Sequence, residues 1–425
     1  MDYFRYQDGQ LVCEEVPLAR VVETTGTPTF VYSARTALMH LAHLEQAFAP
    51  LAPLICFSVK ANGNLSVLRL LAQAGSGFDV VSGGEIFRAL RAGGSPEKIV
   101  YAGVGKTDAE IEYALKQDVL MFNVESLPEL EAIDAVAARL GKRARVALRV
   151  NPDVDAHTHS YVTTGKKENK FGLVVETALA IARETLPRLK HVELRGVHAH
   201  IGSRITETGP YAGMIERVIE FAESCRVVGH PLTHLNMGGG FGIFYPGEEA
   251  LPAEAFAKVV VEPVRRTGLK LIMEPGRFII GNAGVLLTRV IYVKESGPRR
   301  FVIVDAGMND LIRPALYEAE HYIWPIDSTV DPRRGGVGDL PLADVVGPIC
   351  ETSDFLALAR PFPAVKRGDV LAVFGAGAYG MTMSSNYNAR PRAAEVLVQG
   401  DEARVVRRRE TWEDLVGPEE PGRSL

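Results

Sequence analysis

The sequence lacks most features that would mark a secreted, membrane-embedded, fibrous or nucleic-acid-binding protein. Cysteine is scarce, with four in 425 residues (Cys13, Cys56, Cys225 and Cys350), each alone in its stretch. They form no CxxC pair and no disulfide framework, which points to a reducing compartment, the cytoplasm. No ligand spacing suggests a metal, and none is expected. Neither charge dominates: 47 Lys and Arg stand against 52 Asp and Glu, a formal net charge of −5. That balance excludes a polybasic chain held to nucleic acid by phosphate neutralisation. No apolar run approaches the ~20 residues of a membrane span, so no membrane partner is expected. The opening stretch MDYFRYQDGQ has acids and no apolar core, so a signal peptide is not expected. There is no internal repeat and no low-complexity tract. What is present is a globular composition, 47% hydrophobic and 23% charged, long enough for two or three units.

Short apolar runs recur with helical patterns between them. Strands are predicted at 54–59 (LICFSV), 77–82 (GFDVVS), 99–103 (IVYAG), 119–124 (VLMFNV), 145–150 (RVALRV), 195–201 (RGVHAHI), 233–238 (THLNMG) and 269–274 (LKLIME). Most are continuously apolar, as strands buried on both faces of a parallel sheet are. Helical spacing fills the gaps, for instance 64–74 behind the cap residue Asn64, and 125–140 with Pro128 in its first turns. Eight such units in about 230 residues match a (β/α)8 TIM-like barrel, with a doubly wound open sheet as the alternative. After residue 282 the runs 284–294, 301–305, 370–374 and 395–398 alternate or are β-branched, with Gly, Pro and charged turns between them. They read as a mostly antiparallel β-sandwich or barrel, which TFVYS at 29–33 joins. The expected division is 33–282 for the α/β barrel, and 1–32 with 283–425 for the β domain. Residues 327–340 read as a mobile loop, and the acidic stretch from about 410 as a frayed end.

In such a barrel the working groups stand at the C-terminal ends of the strands. The first run ends in Lys60, and the second near Asp79 and the turn Ser82-Gly83-Gly84. The sixth ends in His200, Gly202 and Ser203, the seventh in Gly238-Gly239-Gly240, and the eighth in Glu274-Pro275-Gly276-Arg277. A glycine run can be a plain turn. Behind a strand and ahead of a possible helix start, its bare N–H groups can instead cradle a phosphate. Arg277 would add a fixed cation at the next strand end. Lys60 directly follows an apolar strand, and a partly desolvated amine is a nucleophile toward carbonyls. A lysine, a phosphate cradle and a buried acid are the parts that hold pyridoxal phosphate. Glu274 would then pair with the ring nitrogen; the plain alternative is an ion pair with Arg277. His200 is either a core histidine or lies flat against the ring.

Nine stretches carry a resemblance: FSVKAN (57–62), FDVVSGGE (78–85), NKFG (169–172), HAHIGS (198–203), NMGGGFG (236–242), EPGR (274–277), MNDLIRPALY (308–317), GPICETSD (347–354) and GAYG (377–380). In this order they resemble the fold type III pyridoxal-phosphate decarboxylases, and among these the diaminopimelate decarboxylase family. The resemblance implies an N-terminal barrel and a C-terminal β domain that contributes substrate and dimer-interface residues. It implies that Lys60 carries the cofactor with Asp79 beside it, that His200 stacks on the ring, and that Glu274 holds the ring nitrogen. Ser203, Gly239, Gly240, Gly276, Arg277 and Tyr379 are implied around the phosphate, with Arg277 and Tyr379 also reaching substrate. Arg313 and Tyr317 are implied for the distal carboxylate of the substrate, Glu351 for its distal amine, and Cys350 as the acid at the reacting carbon. Cys350 and Glu351 are implied to come from the partner subunit of a homodimer, near an ion pair of Lys170 with Asp354 across the interface.

The distal end separates the possible substrates. Ornithine and lysine offer only an ammonium there, whereas diaminopimelate offers an ammonium and a carboxylate. Glu351 suits the first group, and Arg313 with Tyr317 the second. A buried arginine without a partner would cost several kcal/mol in a site built for ornithine. The expected reaction is therefore decarboxylation of meso-2,6-diaminopimelate to L-lysine and CO2, the last step of lysine biosynthesis. The alternative is a related basic amino acid (carboxynorspermidine, arginine, ornithine or a D-amino acid) on the same fold. Pro314 is expected to hold Arg313 in an extended conformation, and Cys350 is expected to be exposed in its turn-rich stretch.

Overall fold

Eight parallel strands close into a barrel in the structure, a computed structural model that describes residues 2–154, 170–246, 250–335 and 337–419. In chain order they are Leu54–Ser58, Gly77–Val80, Ile99–Tyr101, Met121–Val124, Ala144–Asn151, Val192–His198, His234–Asn236 and Lys270–Met273. Each pairs with its chain neighbour, and Ile272 and Met273 of the eighth pair with Leu54 and Ile55 of the first. That closure excludes the open sheet. Cys56, Val100, Met121, Ala147 and Ile272 meet inside the ring. The sixth strand has glycine here for want of space: a Cβ on Gly196 would lie 3.0 Å from Met121 Sδ and 3.2 Å from Ala147 Cβ.

The helices form where the spacing and caps predict. Asn64 Oδ1 accepts the Ser66 N–H (2.9 Å) and opens Leu65–Gln73, which buries Val67, Leu68 and Leu71. Ser126 caps Leu127–Leu140, Pro128 sits in its first turn, and Gly141 ends it in the left-handed region (φ 62°). Such caps are worth about 1 kcal/mol each; the apolar face contributes more, about 1.5–3 kcal/mol per fully buried aliphatic side chain.

By contact density the chain forms two units. One is Leu38–Ile243 with Glu249–Phe278; the other is Met1–Ala37, Phe244–Glu248 and Ile279–Leu425. The second is built on a sheet ordered Phe355–Pro361, Leu342–Val346, Arg299–Val304, Gly284–Ser296, Thr29–Ser33, Ala394–Gln399 and Glu402–Arg407. Two of its pairings are parallel, Arg299–Val304 with Leu342–Val346 and Ala394–Gln399 with Thr29–Ser33; the others along that order are antiparallel. Val31, Val285, Leu287, Trp324, Phe374 and Val396 share its core.

Two expectations need correction. The stretch read as a mobile loop is pinned at Arg333. Its guanidinium bonds Asp2 (2.8 Å), Asp331 (2.8 Å) and the Phe4 carbonyl (2.7 Å), and lies 4.4 Å from the Phe374 ring centroid. The stretch from 410 is not simply frayed. Glu410 accepts the Arg392 N–H (2.9 Å), and a Thr411–Asp414 capping box opens the helix Trp412–Val416. In both, long-range charge pairing overrides a loop-like composition. Residues 155–169, with Asn169 of NKFG, lie outside the described residues, as do 1, 247–249, 336 and 420–425.

Candidate active site

The barrel mouth gathers two buried carboxylates and one amine. Lys60 follows the first strand in the tight turn Val59–Ala61, where its neighbours are buried and its own side chain is 38% exposed. Its Nζ lies 2.6 Å from Asp79 Oδ2, so the amine is ion-paired rather than merely desolvated. Ser58 Oγ also donates to Asp79 Oδ2 (2.7 Å). Burial and the nearby Glu274 push the Asp79 carboxyl above its ordinary range, although Lys60 and Ser58 oppose the rise.

Glu274 ends the eighth strand, and its surroundings come from three others. Oε1 accepts from Asn123 Nδ2 (2.9 Å) on the fourth strand and Asn236 Nδ2 (2.6 Å) on the seventh. Oε2 stands 3.3 Å from His198 Nε2 on the sixth. Burial alone would raise this carboxyl; His198, Lys60 and Asn236 outweigh it and hold Glu274 well below the usual carboxylate range. The plain alternative for Glu274, an ion pair with Arg277, gives way to these partners.

His200 has intermediate exposure. The Gly239 N–H donates to its Nδ1 at 3.2 Å, so that nitrogen carries no proton and the ring is the neutral Nε2–H tautomer. Burial, with the Arg149 and Lys60 charges, holds His200 well below the usual imidazole range.

The glycine run differs from the expectation of bare N–H groups. The Gly238 N–H is spent on Asn236 Oδ1 (2.9 Å) and that of Gly239 on His200. Among the described residues no helix follows directly; the next opens at Ala253. Glycine is required for close approach: a Cβ on Gly239 would meet the Glu274 carbonyl oxygen at 2.1 Å, and one on Gly240 (φ 101°) the Gly202 carbonyl oxygen at 2.3 Å. Gly276 is tight against Ser58 and Ala61, each 3.0 Å from a built Cβ. Beside them Arg277 donates to Ser203 Oγ through Nε (3.4 Å) and Nη2 (3.3 Å).

In the β unit, Arg313 does not take the expected extended form. It opens the short helix Arg313–Tyr317, with Pro314 in the first turn, because a proline there costs no helical hydrogen bond. Arg313 is buried and Tyr317 has intermediate exposure. Cys350 is exposed, as expected, and its N–H donates to Asn388 Oδ1 (2.7 Å). Glu351 is exposed and accepts from Tyr387 OH (2.7 Å) and from Ser353 Oγ, which together lower its carboxyl. Asp354, expected to face a partner's lysine, is turned inward at 4% exposure, where it accepts the N–H groups of Met308 and Ile349 (2.6 Å each). It braces the turn that carries Cys350. Tyr379 sits in the left-handed region (φ 56°).

Residues 37–281 match the family described as pyridoxal-dependent decarboxylase, pyridoxal binding domain. The chain is 50% identical over 411 residues to the diaminopimelate decarboxylase of Neisseria meningitidis serogroup A, which spans 96% of this chain and 98% of the relative. The chain belongs to the diaminopimelate decarboxylase family. Its identity to the Aquifex aeolicus diaminopimelate decarboxylase is 46% over 417 residues, 98% of this chain and 97% of that one. The crystal structure of diaminopimelate decarboxylase from Helicobacter pylori complexed with L-lysine superposes with a TM-score of 0.89 at 41% identity, covering 95% of this chain and 99% of that one. The enzyme from M. jannaschii in co-complex with L-lysine gives 0.91 at 35% identity, covering 99% and 98%.

Pyridoxal phosphate is the cofactor of this family, and the residues at the mouth fit it. An amine suits its aldehyde, an anionic buried carboxylate its protonated ring nitrogen, and an Arg277–Ser203 pair its phosphate. Ser58, Asn123, His198 and Asn236 were not singled out from the sequence. Their signal was present: each is a polar residue in the last two positions of a barrel strand. Glu85 was passed over as well; its Oε2 accepts the Val81 N–H (2.9 Å), and burial pushes it up to about 7.

Proposed function

We propose that this chain decarboxylates meso-2,6-diaminopimelate to L-lysine and CO2, with the reacting end of the substrate at the barrel mouth. The observation that carries the reading is the buried Glu274, kept anionic by Asn123, Asn236 and His198 beside the ion-paired Lys60. Bound pyridoxal phosphate supplies a protonated ring that takes up the electron pair left when CO2 departs. Lys60 carries the cofactor, with Asp79 as its counter-ion. Glu274 keeps the proton on the ring nitrogen, and neutral His200 covers the ring without adding charge. Ser203, Arg277, Tyr379 and the backbone at Gly240 and Gly276 serve the phosphate, while Gly239, its N–H on His200, lets the chain pass close to Glu274. Arg313 and Tyr317 bind the distal carboxylate and Glu351 the distal ammonium, with Arg277 and Tyr379 also reaching substrate. Cys350 returns a proton to the reacting carbon.

The stereochemistry is consistent with that division. A product that is L-lysine keeps the L-configured centre, so CO2 leaves the D-configured end. L-Lysine therefore retains both distal groups, the ones assigned to Arg313 and Glu351. A homodimer is part of the proposal, since Cys350 and Glu351 are both exposed on the subunit. So is a reducing cytoplasm, in keeping with four free cysteines. Incubating the purified protein with pyridoxal phosphate and meso-diaminopimelate should release L-lysine and CO2 in equal amounts. Faster turnover of ornithine, arginine or carboxynorspermidine overturns the reading.

A further inference from the structure

Arg313, 2% exposed, is held by two residues outside the nine shared stretches. Its Nε donates to His321 Nε2 at 3.4 Å. The other ring nitrogen, Nδ1, lies 2.8 Å from the Phe374 carbonyl oxygen. A carbonyl only accepts, so Nδ1 carries the proton and Nε2 offers its lone pair to Arg313. On another side the Arg313 guanidinium carbon stands 5.3 Å from the Tyr245 ring centroid. Tyr245 in turn meets His321 edge-on, with centroids 5.5 Å apart and planes at 84°. A guanidinium is planar and rigid, so fixing Nε and packing one face fixes the direction of its remaining N–H edge.

We infer that His321 and Tyr245 are positioning residues that aim Arg313 at the distal carboxylate, and so set the preference for a substrate that carries one. The inference rests on the role proposed for Arg313. A bidentate contact depends on angle as well as distance, and an unheld arginine spreads over many rotamers. His321 is fixed from behind by the Phe374 carbonyl, so the Arg313 contact is built on the backbone of the strand Val370–Phe374.

The test uses the holoenzyme and two ligands. L-Lysine keeps the distal carboxylate; cadaverine is the same diamine chain without it. His321→Asn keeps a donor for the Phe374 carbonyl but withdraws from Arg313. His321→Gln sets its amide oxygen near the position of Nε2. A cavity of about 210 Å³ lined by His321, Trp324 and Phe362, among others, leaves room for either side chain. Loss of one such hydrogen bond should weaken L-lysine binding by roughly 3–10-fold in His321→Asn, with cadaverine unchanged and His321→Gln close to wild type. Tyr245→Leu should act in the same direction as His321→Asn, and stands as the test if that variant fails to accumulate. In an Arg313→Ala background neither change should have any further effect. A merely structural histidine predicts the reverse order of Asn and Gln, with equal losses for both ligands, and overturns the inference. If Arg313→Ala removes the preference while His321→Asn and Tyr245→Leu keep it, the inference falls and the role of Arg313 stands. If Arg313→Ala itself keeps the preference, that role falls and the inference with it.

Discussion

Glu274→Gln separates charge from shape at the barrel mouth. The amide oxygen of glutamine can take the place of Oε1 and keep both donors, Asn123 (2.9 Å) and Asn236 (2.6 Å). Its NH2 then turns toward His198 Nε2, which accepts once its proton has moved to Nδ1. Each retained bond falls from charge-assisted, about 1.5–3 kcal/mol, to neutral, about 0.5–1.5 kcal/mol. That loss, about 2–3 kcal/mol for the two bonds, is offset by no longer burying a charge, which costs several kcal/mol. The fold should therefore be nearly as stable as wild type at neutral pH. The ring nitrogen, by contrast, loses its anion. Breaking a buried charge pair costs about 3–5 kcal/mol, so kcat should fall by roughly 10²–10⁴-fold. Stability should also differ in its pH dependence. The Glu274 carboxyl is depressed in the folded state, so its contribution is complete above the ordinary carboxylate range. It is lost only as pH falls through the depressed value, in strong acid. The variant lacks this component, so the two melting curves should run together near neutral pH and separate in acid, where wild type loses stability that the variant keeps. The assays are steady-state turnover with cofactor occupancy checked by absorbance, and melting temperature against pH. Turnover within threefold of wild type at full occupancy would refute the reasoning. A melting temperature that collapses along with activity would make Glu274 a structural residue instead.

Three further outcomes are expected. Borohydride treatment of the holoenzyme should fix pyridoxal phosphate to Lys60, read by peptide mapping, and Lys60→Ala should bind the cofactor without any such bond; a label on another lysine contradicts the assignment of the mouth. Arg313→Lys should weaken binding of meso-diaminopimelate and L-lysine by about 2–4 kcal/mol, since an ammonium cannot reproduce a two-bond fork. Cadaverine affinity should be untouched, and equal losses for all three ligands argue against a carboxylate contact. Mixing Lys60→Ala with Cys350→Ala subunits should restore about a quarter of wild-type activity, because half of the symmetric dimers are hybrids with one intact site. No recovery after verified subunit exchange puts both groups in one chain.

Much of the architecture is legible without coordinates, because its cause is local. Strands buried on both faces must be continuously apolar, and all eight predicted barrel runs contain the strands observed, or overlap them. Asn64 and Pro128 mark helix starts because the free N–H groups of a first turn need a side-chain acceptor, or a residue without an N–H. Lys60 and Glu274 stand out because a polar residue directly behind an apolar strand has only the barrel mouth to occupy, and Asp79 because it is the one charge inside the strand Gly77–Val80. What the sequence could not determine is what those groups meet. Glu274 is anionic because closure of the barrel brings Asn123, His198 and Asn236 onto it from three other strands, at separations of 151, 76 and 38 residues. Arg313 is aimed by Tyr245 and His321, one of them 68 residues upstream. Local rules predicted an extended Arg313, a loose 327–340 loop and bare glycine amides. Arg313 yields locally, to a helix with Pro314 in its first turn, but the loop is overridden by Asp2 and the Gly239 amide by His200, because propensity is a matter of neighbours in sequence, whereas hydrogen-bond pairing, ionisation state and aim depend on neighbours in space.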